Sequence, residues 1–374
     1  MKLPLYLTAL LLASGLALRA QVPYNAAAPN GYTRKAIVSE QVGLTQVSIT
    51  YHRPAVSGRA GKIWGGVVHK GFADPGFGNG KPAPWRAGAN ETTVIEFDKD
   101  VLIEGKPLPR GRYGLFVAYD SLQSSVIFSR RADAWGAFFY EEQDDVLRVA
   151  VQPRALEQSV ELLRYEFVEQ TPKGATVLLS WERRSIPFRV EVDLLAQQFE
   201  AFTIEAQHPQ GFTAQGLTVA ANWALQNNYR LDKALEWATM ATRPGFPGDP
   251  TSFPALSVKA LLLTRLGKTE EALAATRAAL PHGNVQGVQQ LGRQLLAARN
   301  NTAALEAFQY NYNKAPGQLL SLTGMARGLS AAGEYAKALE HAEKALPLAP
   351  NEANRKAIQS MIERLKAGKD INEQ

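Results

Sequence analysis

Residues able to do chemistry gather between Arg53 and Glu91. Arg53, Arg59, Lys62 and Arg86 supply cations, Trp85 an indole, Asn90 an amide and Glu91 a carboxylate. Guanidinium forks match carboxylates, phosphates and sugar acids, and an indole face matches a sugar ring or a cation. The same set also reads as internal structure, with Glu91 neutralising Arg86 or Arg53 and Trp85 plugging the end of a sheet. On that reading Arg53, Arg86 and Glu91 form one buried or half-buried network. A second set lies far downstream and is described with its repeats below.

Other chemistry is sparse. The histidines His52, His69, His208, His282 and His341 are not spaced as metal-binding pairs, so no metal or other cofactor is assigned. No G-x-S-x-G nucleophile elbow occurs, and no catalytic residue is assigned. Glu141-Glu142 and Asp144-Asp145 read as solvated turn residues. Gly76, Gly78 and Gly80 are not a dinucleotide fingerprint, since no strand leads in and no helix leads out. The whole stretch 54–91 is expected to be a flexible loop, and Trp64, Trp135 and Trp181 are assigned to core or sheet packing.

The elements that must position these residues differ between two halves. From about residue 34 to 193, segments alternate with period two: 45–52, 92–98, 112–119, 124–130, 146–152, 161–170, 175–182 and 186–193. Turn chemistry at Gly105-Lys106-Pro107, Pro109-Arg110-Gly111 and Pro172-Lys173-Gly174 separates some of them. Antiparallel strands with short turns predict a β-sandwich or closed barrel. After residue 194 the signal becomes helical and repeats. Gly333, Tyr335, Ala338, Leu339, Ala345 and Pro350 take fixed places in a unit starting at Leu319, and a unit starting at Val285 carries Leu291-Gly292, Ala304, Phe308 and Pro316. Weaker units start near Phe253 and Gln215. These resemble tetratricopeptide repeats, helix–turn–helix units that stack into an α-solenoid. In that family position nine of the first helix points into the groove. The resemblance therefore places Arg293 and Arg327 on one wall, with Gln289 a turn away on the same face of its helix. Such a set could hold a C-terminal carboxylate or an acidic peptide.

Composition limits the rest. The 374 residues are 45% hydrophobic and 20% charged, which excludes wholesale disorder. With no cysteine, disulfides and thiolate chemistry are excluded. Residues 21–193 hold 21 basic and 20 acidic side chains, and 194–374 hold 18 and 15, so no basic stripe points to nucleic acid. Residues 1–20, MKLPLYLTALLLASGLALRA, read as a signal peptide cleaved after Ala20. The expected order is signal peptide 1–20, β domain 21–193, connecting or capping helix 194–214 and solenoid 215–374. The location is exported, periplasmic or extracellular, with no membrane-spanning segment after cleavage.

The β half carries further motifs in a fixed order. They include Ser39-Glu40-Gln41-Val42-Gly43, Ser48-Ile49-Thr50-Tyr51-His52-Arg53-Pro54 and Lys62-Ile63-Trp64-Gly65. Trp85-Arg86-Ala87-Gly88-Ala89-Asn90-Glu91, Tyr113-Gly114-Leu115-Phe116 and Trp135-Gly136-Ala137-Phe138 follow. Together they resemble a secreted bacterial family, domain of unknown function 2911, over residues 34–193. Some members carry tetratricopeptide-like repeats behind this domain. The resemblance brings no reaction with it. The expected function is non-catalytic: a periplasmic binding or scaffolding protein that meets a protein or peptide through the repeats and the charged loop. The alternative is an envelope hydrolase or carbohydrate-modifying enzyme with its site in loop 54–91, marked by a deep pocket near Arg86 and Glu91.

Overall fold

Alternating side chains bury one face of a strand, so a chain of short-turned strands must find a second layer to cover that face. The computed structural model describes residues 33–76 and 78–373, and the signal-peptide expectation lies outside them. The chain divides between Leu194 and Leu195 into two units.

In the first unit, β1 (Arg34–Val42), β2 (Thr45–Arg53), β3 (Thr93–Phe97), β6 (Gly111–Ala118), β7 (Ser124–Ser129) and β8 (Asp145–Val151) form one sheet in the order β1-β2-β3-β6-β7-β8. A second sheet, β5-β4-β10-β9, contains β4 (Val101–Ile103), β5 (Lys106–Leu108), β9 (Arg154–Thr171) and β10 (Gly174–Glu191). Every strand pair is antiparallel. The two sheets share one core, in which Ile49, Phe97, Leu115 and Phe128 of the first meet Ile103, Leu163, Trp181 and Phe188 of the second. The rings of Phe128 and Phe188 meet edge to face at 5.7 Å. The sheets stay separate, so the architecture is an open sandwich and not a closed barrel. Three expected segments, 161–170, 175–182 and 186–193, belong to only two strands of 18 residues each. Irregular register around Glu182, which has a φ of 50°, breaks the alternation that would have joined the last two.

The second unit is helical. A first helix, α1 (Leu194–Glu205), starts at the boundary between the units and leads into four helix pairs. These are α2 (Ala214–Gln226) with α3 (Leu231–Thr242), α4 (Phe253–Arg265) with α5 (Thr269–Ala279), α6 (Val285–Ala297) with α7 (Asn301–Lys314), and α8 (Leu319–Ala331) with α9 (Tyr335–Ala345). A last helix, α10 (Glu352–Lys366), closes the array. Side-chain caps start several of them. Thr213 accepts from the Gly216 amide at 3.0 Å, Asn284 from Gly287 at 2.7 Å and Asn351 from Asn354 at 2.9 Å. Packing between pairs depends on small residues. The ring of Phe308 on α7 is fully buried, and a methyl group at Gly292, Gly324 or Gly328 would stand 2.5, 2.6 or 3.0 Å from it. The absent side chains on α6 and α8 make the socket for that ring. The turn inside each pair needs a left-handed residue: Gly267 and Gly333 supply it at φ 74° and 79°, and Arg299 takes the same place at 62°.

Candidate functional site

The stretch 54–91 is not the flexible loop expected of it. Main-chain bridges pin it to the sheets at Ala55–Leu162, Lys70–Tyr119 and Trp85–Val117, and to itself at Trp64–Val68 and Ala73–Ala83. Trp85 and Val117 exchange both backbone hydrogen bonds, at 2.9 and 2.8 Å. The turn after Trp85 is held in an unusual shape, with Ala87 at φ 50° and Asn90 at 57°. Side chains resorting to such backbone need restraint from outside. Here the Ala87 carbonyl accepts from the Tyr165 hydroxyl at 2.8 Å and the Thr93 hydroxyl at 3.2 Å. The Trp85 indole N–H donates to the Gly88 carbonyl at 3.1 Å.

The expected Arg53–Arg86–Glu91 network does not form. Arg53 Nε donates to the Leu163 carbonyl at 3.0 Å, fixing the end of β2 to β9. Glu91 instead accepts from Lys35 Nζ at 2.7 Å and lies 3.5 Å from His52 Nε2. The hydrogen bond from Lys35 holds its carboxyl below the usual carboxylate range. Lys35 and His52 are directly opposite in the β1–β2 register, so the ladder delivers both to the same carboxylate. Asn90 Nδ2 donates to the Thr33 hydroxyl at 3.1 Å and lies 3.3 Å from His52 Nδ1. Arg59 donates to the carbonyls of Val56 and Ala55 at 3.1 and 2.6 Å, stapling its own turn. Lys62 is exposed and away from these contacts.

Arg86 is different. Among the described residues it enters no ion pair and no hydrogen bond, and its Nε is buried without an acceptor. Burial lowers its guanidinium from the ordinary value. The guanidinium carbon stands 5.8 Å from the centre of the Phe138 ring. Arg86 lines a cavity of about 440 Å³ together with Arg59, His69, Trp85, Phe138 and Trp181. His69 Nδ1 and Trp181 Nε1 are also buried without acceptors. Among the described residues no aspartate or glutamate lines this cavity. Its aromatic wall is ordered, with Trp85 stacked on Trp181 at 6.2 Å and edge-on to Trp64 at 5.8 Å. The pocket required by the hydrolase reading therefore exists near Arg86, but Glu91 is not part of it. His69 and Trp181 were not singled out for this site in the sequence. Only the folding of β10 onto the loop brings Trp181 to Arg86.

Two further expectations need correction. Trp135 is 56% exposed and packs in no core. Asp145 is no solvated turn residue: its side chain is 8% exposed and accepts from the Tyr140 hydroxyl at 2.7 Å and from Arg148 Nε at 2.6 Å. Burial raises the Asp145 carboxyl in spite of these partners.

In the solenoid, a groove of about 230 Å³ runs across the first helices of successive pairs. Asn222, Leu225 and Gln226 of α2 line it with Leu261 and Arg265 of α4 and Gln294 of α6. Leu261 is position nine of its unit, the place that Arg293 and Arg327 hold in theirs. Arg293 is exposed. Arg327 is half-buried and lowered from the ordinary guanidinium value, first by burial and then by the charge of Arg293. The two cations are thus neighbours. Asp370 opposes this effect from the chain's own C-terminal segment, whose Asn372 donates to the Arg327 carbonyl at 2.9 Å. Gln289 does not stand free in the groove: it is 6% exposed, and its Oε1 lies against Gly324 without a partner. Asn222, Gln226, Arg265 and Gln294 are not among the residues the sequence pointed to, which occupy positions five and nine of the last two units.

Among the described residues no helix is long and apolar enough to cross a membrane, and no group of three or more His, Asp or Glu side chains could hold a metal ion. No curated protein matches the chain. Solved structures resemble its helical region. A crystal structure of MamA is 15% identical, with 40% of this chain and 85% of that one covered at a TM-score of 0.30. A tetratricopeptide repeat protein from Parabacteroides merdae is 17% identical, covering 41% and 60% at 0.31. PilF of Pseudomonas aeruginosa is 17% identical, covering 41% and 68% at 0.30. Residues 33–190, which span most of the β unit, match the family described as "Protein of unknown function (DUF2911)".

Proposed function

We propose that this protein is an exported, periplasmic or extracellular interaction scaffold, whose solenoid holds a segment of a partner protein along the first helices of its repeats. The observation that carries the reading is the shared groove. Three helices from three different pairs contribute Asn222, Gln226, Arg265 and Gln294 around an apolar floor of Leu225 and Leu261. Amides and a guanidinium over a leucine floor suit an extended peptide, whose backbone needs polar partners and whose side chains need apolar ones. Arg293, beside Gln294 on α6, and Arg327 on α8 add positive charge for an acidic segment or a C-terminal carboxylate. The family that the β unit matches adds no reaction to this picture.

The test is capture from envelope extract, comparing wild type with a Leu261→Glu variant and an Arg293→Ala, Arg327→Ala double variant. Mass spectrometry should find proteins that wild type retains and both variants lose. An identical captured set from folded variants would sink the groove reading. Export has its own check: the mature protein isolated from cells should begin at Gln21.

A further inference from the structure

The cavity around Arg86 presents an imbalance that the fold does not correct. Buried donors are normally paired, because an unpaired one forfeits its hydration with nothing in return. Among the described residues two lie around this cavity without acceptors, Arg86 Nε and Trp181 Nε1, and the ring nitrogen His69 Nδ1 is likewise buried without a partner. Trp181 is only 1% exposed. Among the described residues two arginines line the space and no carboxylate does. Glu91 is committed to Lys35, and Glu182 to the Gly61 amide. Arg59 spends its guanidinium on the Val56 and Ala55 carbonyls, which leaves Arg86 as the uncommitted cation among the described lining residues. Around these polar groups the wall is apolar and aromatic: Trp85, Phe138 and Trp181, with Val67 and the ring of Pro84.

We propose that this cavity is a binding site for a small organic acid, an oxyanion carried on a flat apolar body. The oxyanion accepts from the Arg86 fork, and the body lies against the aromatic wall. A volume of about 440 Å³ suits a compound of one ring, within the common range for ligand pockets. The planar fork of a guanidinium matches two oxygens of one acid group, and a low-dielectric surround strengthens that pairing. The turn that carries Arg86 is held in a left-handed conformation at Ala87 by two hydroxyl donors, so the cation is positioned before any ligand arrives. This site is separate from the solenoid groove, and its success or failure leaves the scaffold reading untouched.

The test is calorimetry on the full mature chain with three probes of similar shape. Phenylacetate and phenyl phosphate carry the anion as carboxylate or phosphate, and phenylacetamide is the neutral counterpart. The expected result is saturable binding of at least one anion, with phenylacetamide at least about tenfold weaker, and the better anion names the acid group. Arg86→Gln should weaken the anion about tenfold or more, while Arg243→Gln, at an exposed position of the other unit, should leave it unchanged. Equal binding of phenylacetate and phenylacetamide to wild type would overturn the proposal, as would absence of binding by both anions at about 10 mM. The wild-type comparison decides the matter even if Arg86→Gln fails to fold. If it folds and binds the anion as wild type does, the proposal falls.

Discussion

Lys35, His52 and Glu91 come together because two strands pair in one register and a third segment returns over them. Side chains of Lys35 and Glu91 are 49% and 44% exposed, so solvent screens the pair and its worth is below about 1 kcal/mol. Glu91→Gln should accordingly shift the melting temperature of the β unit only slightly at neutral pH. The sign with pH is fixed by the lowered carboxyl. Its contribution is complete above the ordinary carboxylate range and is lost as pH falls through the folded-state value. The small gap between wild type and Glu91→Gln should thus close on acidification, as thermal denaturation at a series of pH values would reveal. A gap that widens in acid would contradict this assignment. The residue types of this site were legible in the sequence, and their pairing was not. Lys35 is 56 residues from Glu91, and Trp181 is farther still from Arg86. An arginine beside a glutamate invites a local ion pair, and only the strand register shows that another cation claims the carboxylate.

Helix pairs in the solenoid were legible because each repeats the same solution to one packing problem. Val285 and Leu319 begin both the sequence units and the helices α6 and α8. Gly292 was visible as a repeat position, and the buried Phe308 ring shows what it is for. The strands were less legible. Three-residue strands such as β4 and β5 are too short for an alternation to register, and β1 is a largely exposed edge whose inward face, Ala36, Val38 and Val42, is interrupted by Glu40. Repetition also exposes a departure. Gly267 and Gly333 meet the left-handed turn freely, whereas Arg299 must carry an exposed side chain there, with no partner among the described residues. Arg299→Gly should therefore stabilise the solenoid by about 0.5–1 kcal/mol, since relief of left-handed strain exceeds the added freedom of the unfolded chain. A rise in the denaturation midpoint of that unit would confirm it, and a fall would show that Arg299 holds the turn in some other way.

At the scale of the whole molecule, each unit has its own core: Trp181, Phe128 and Phe188 anchor one, and Phe308 and Trp237 belong to clusters of the other. Residues 21–193 and 194–374 should each fold alone, and scanning calorimetry of the full chain should resolve as the sum of the two fragments. An aggregated or unfolded 21–193 fragment would place essential contacts across the boundary. One feature of the sandwich bears on how such a chain answers a pull. The last strand, β10, lies inside its sheet between β4 and β9, and its 18 residues run on almost directly into α1. Tension applied through the repeats would reach the sandwich along β10 and load many cross-strand hydrogen bonds in shear together. The solenoid, whose units touch only their neighbours, would yield one hairpin after another at lower load. The chain is in this sense a compliant spring mounted on a stiff anchor, and stretch would be absorbed by the repeats long before the cavity around Arg86 was disturbed.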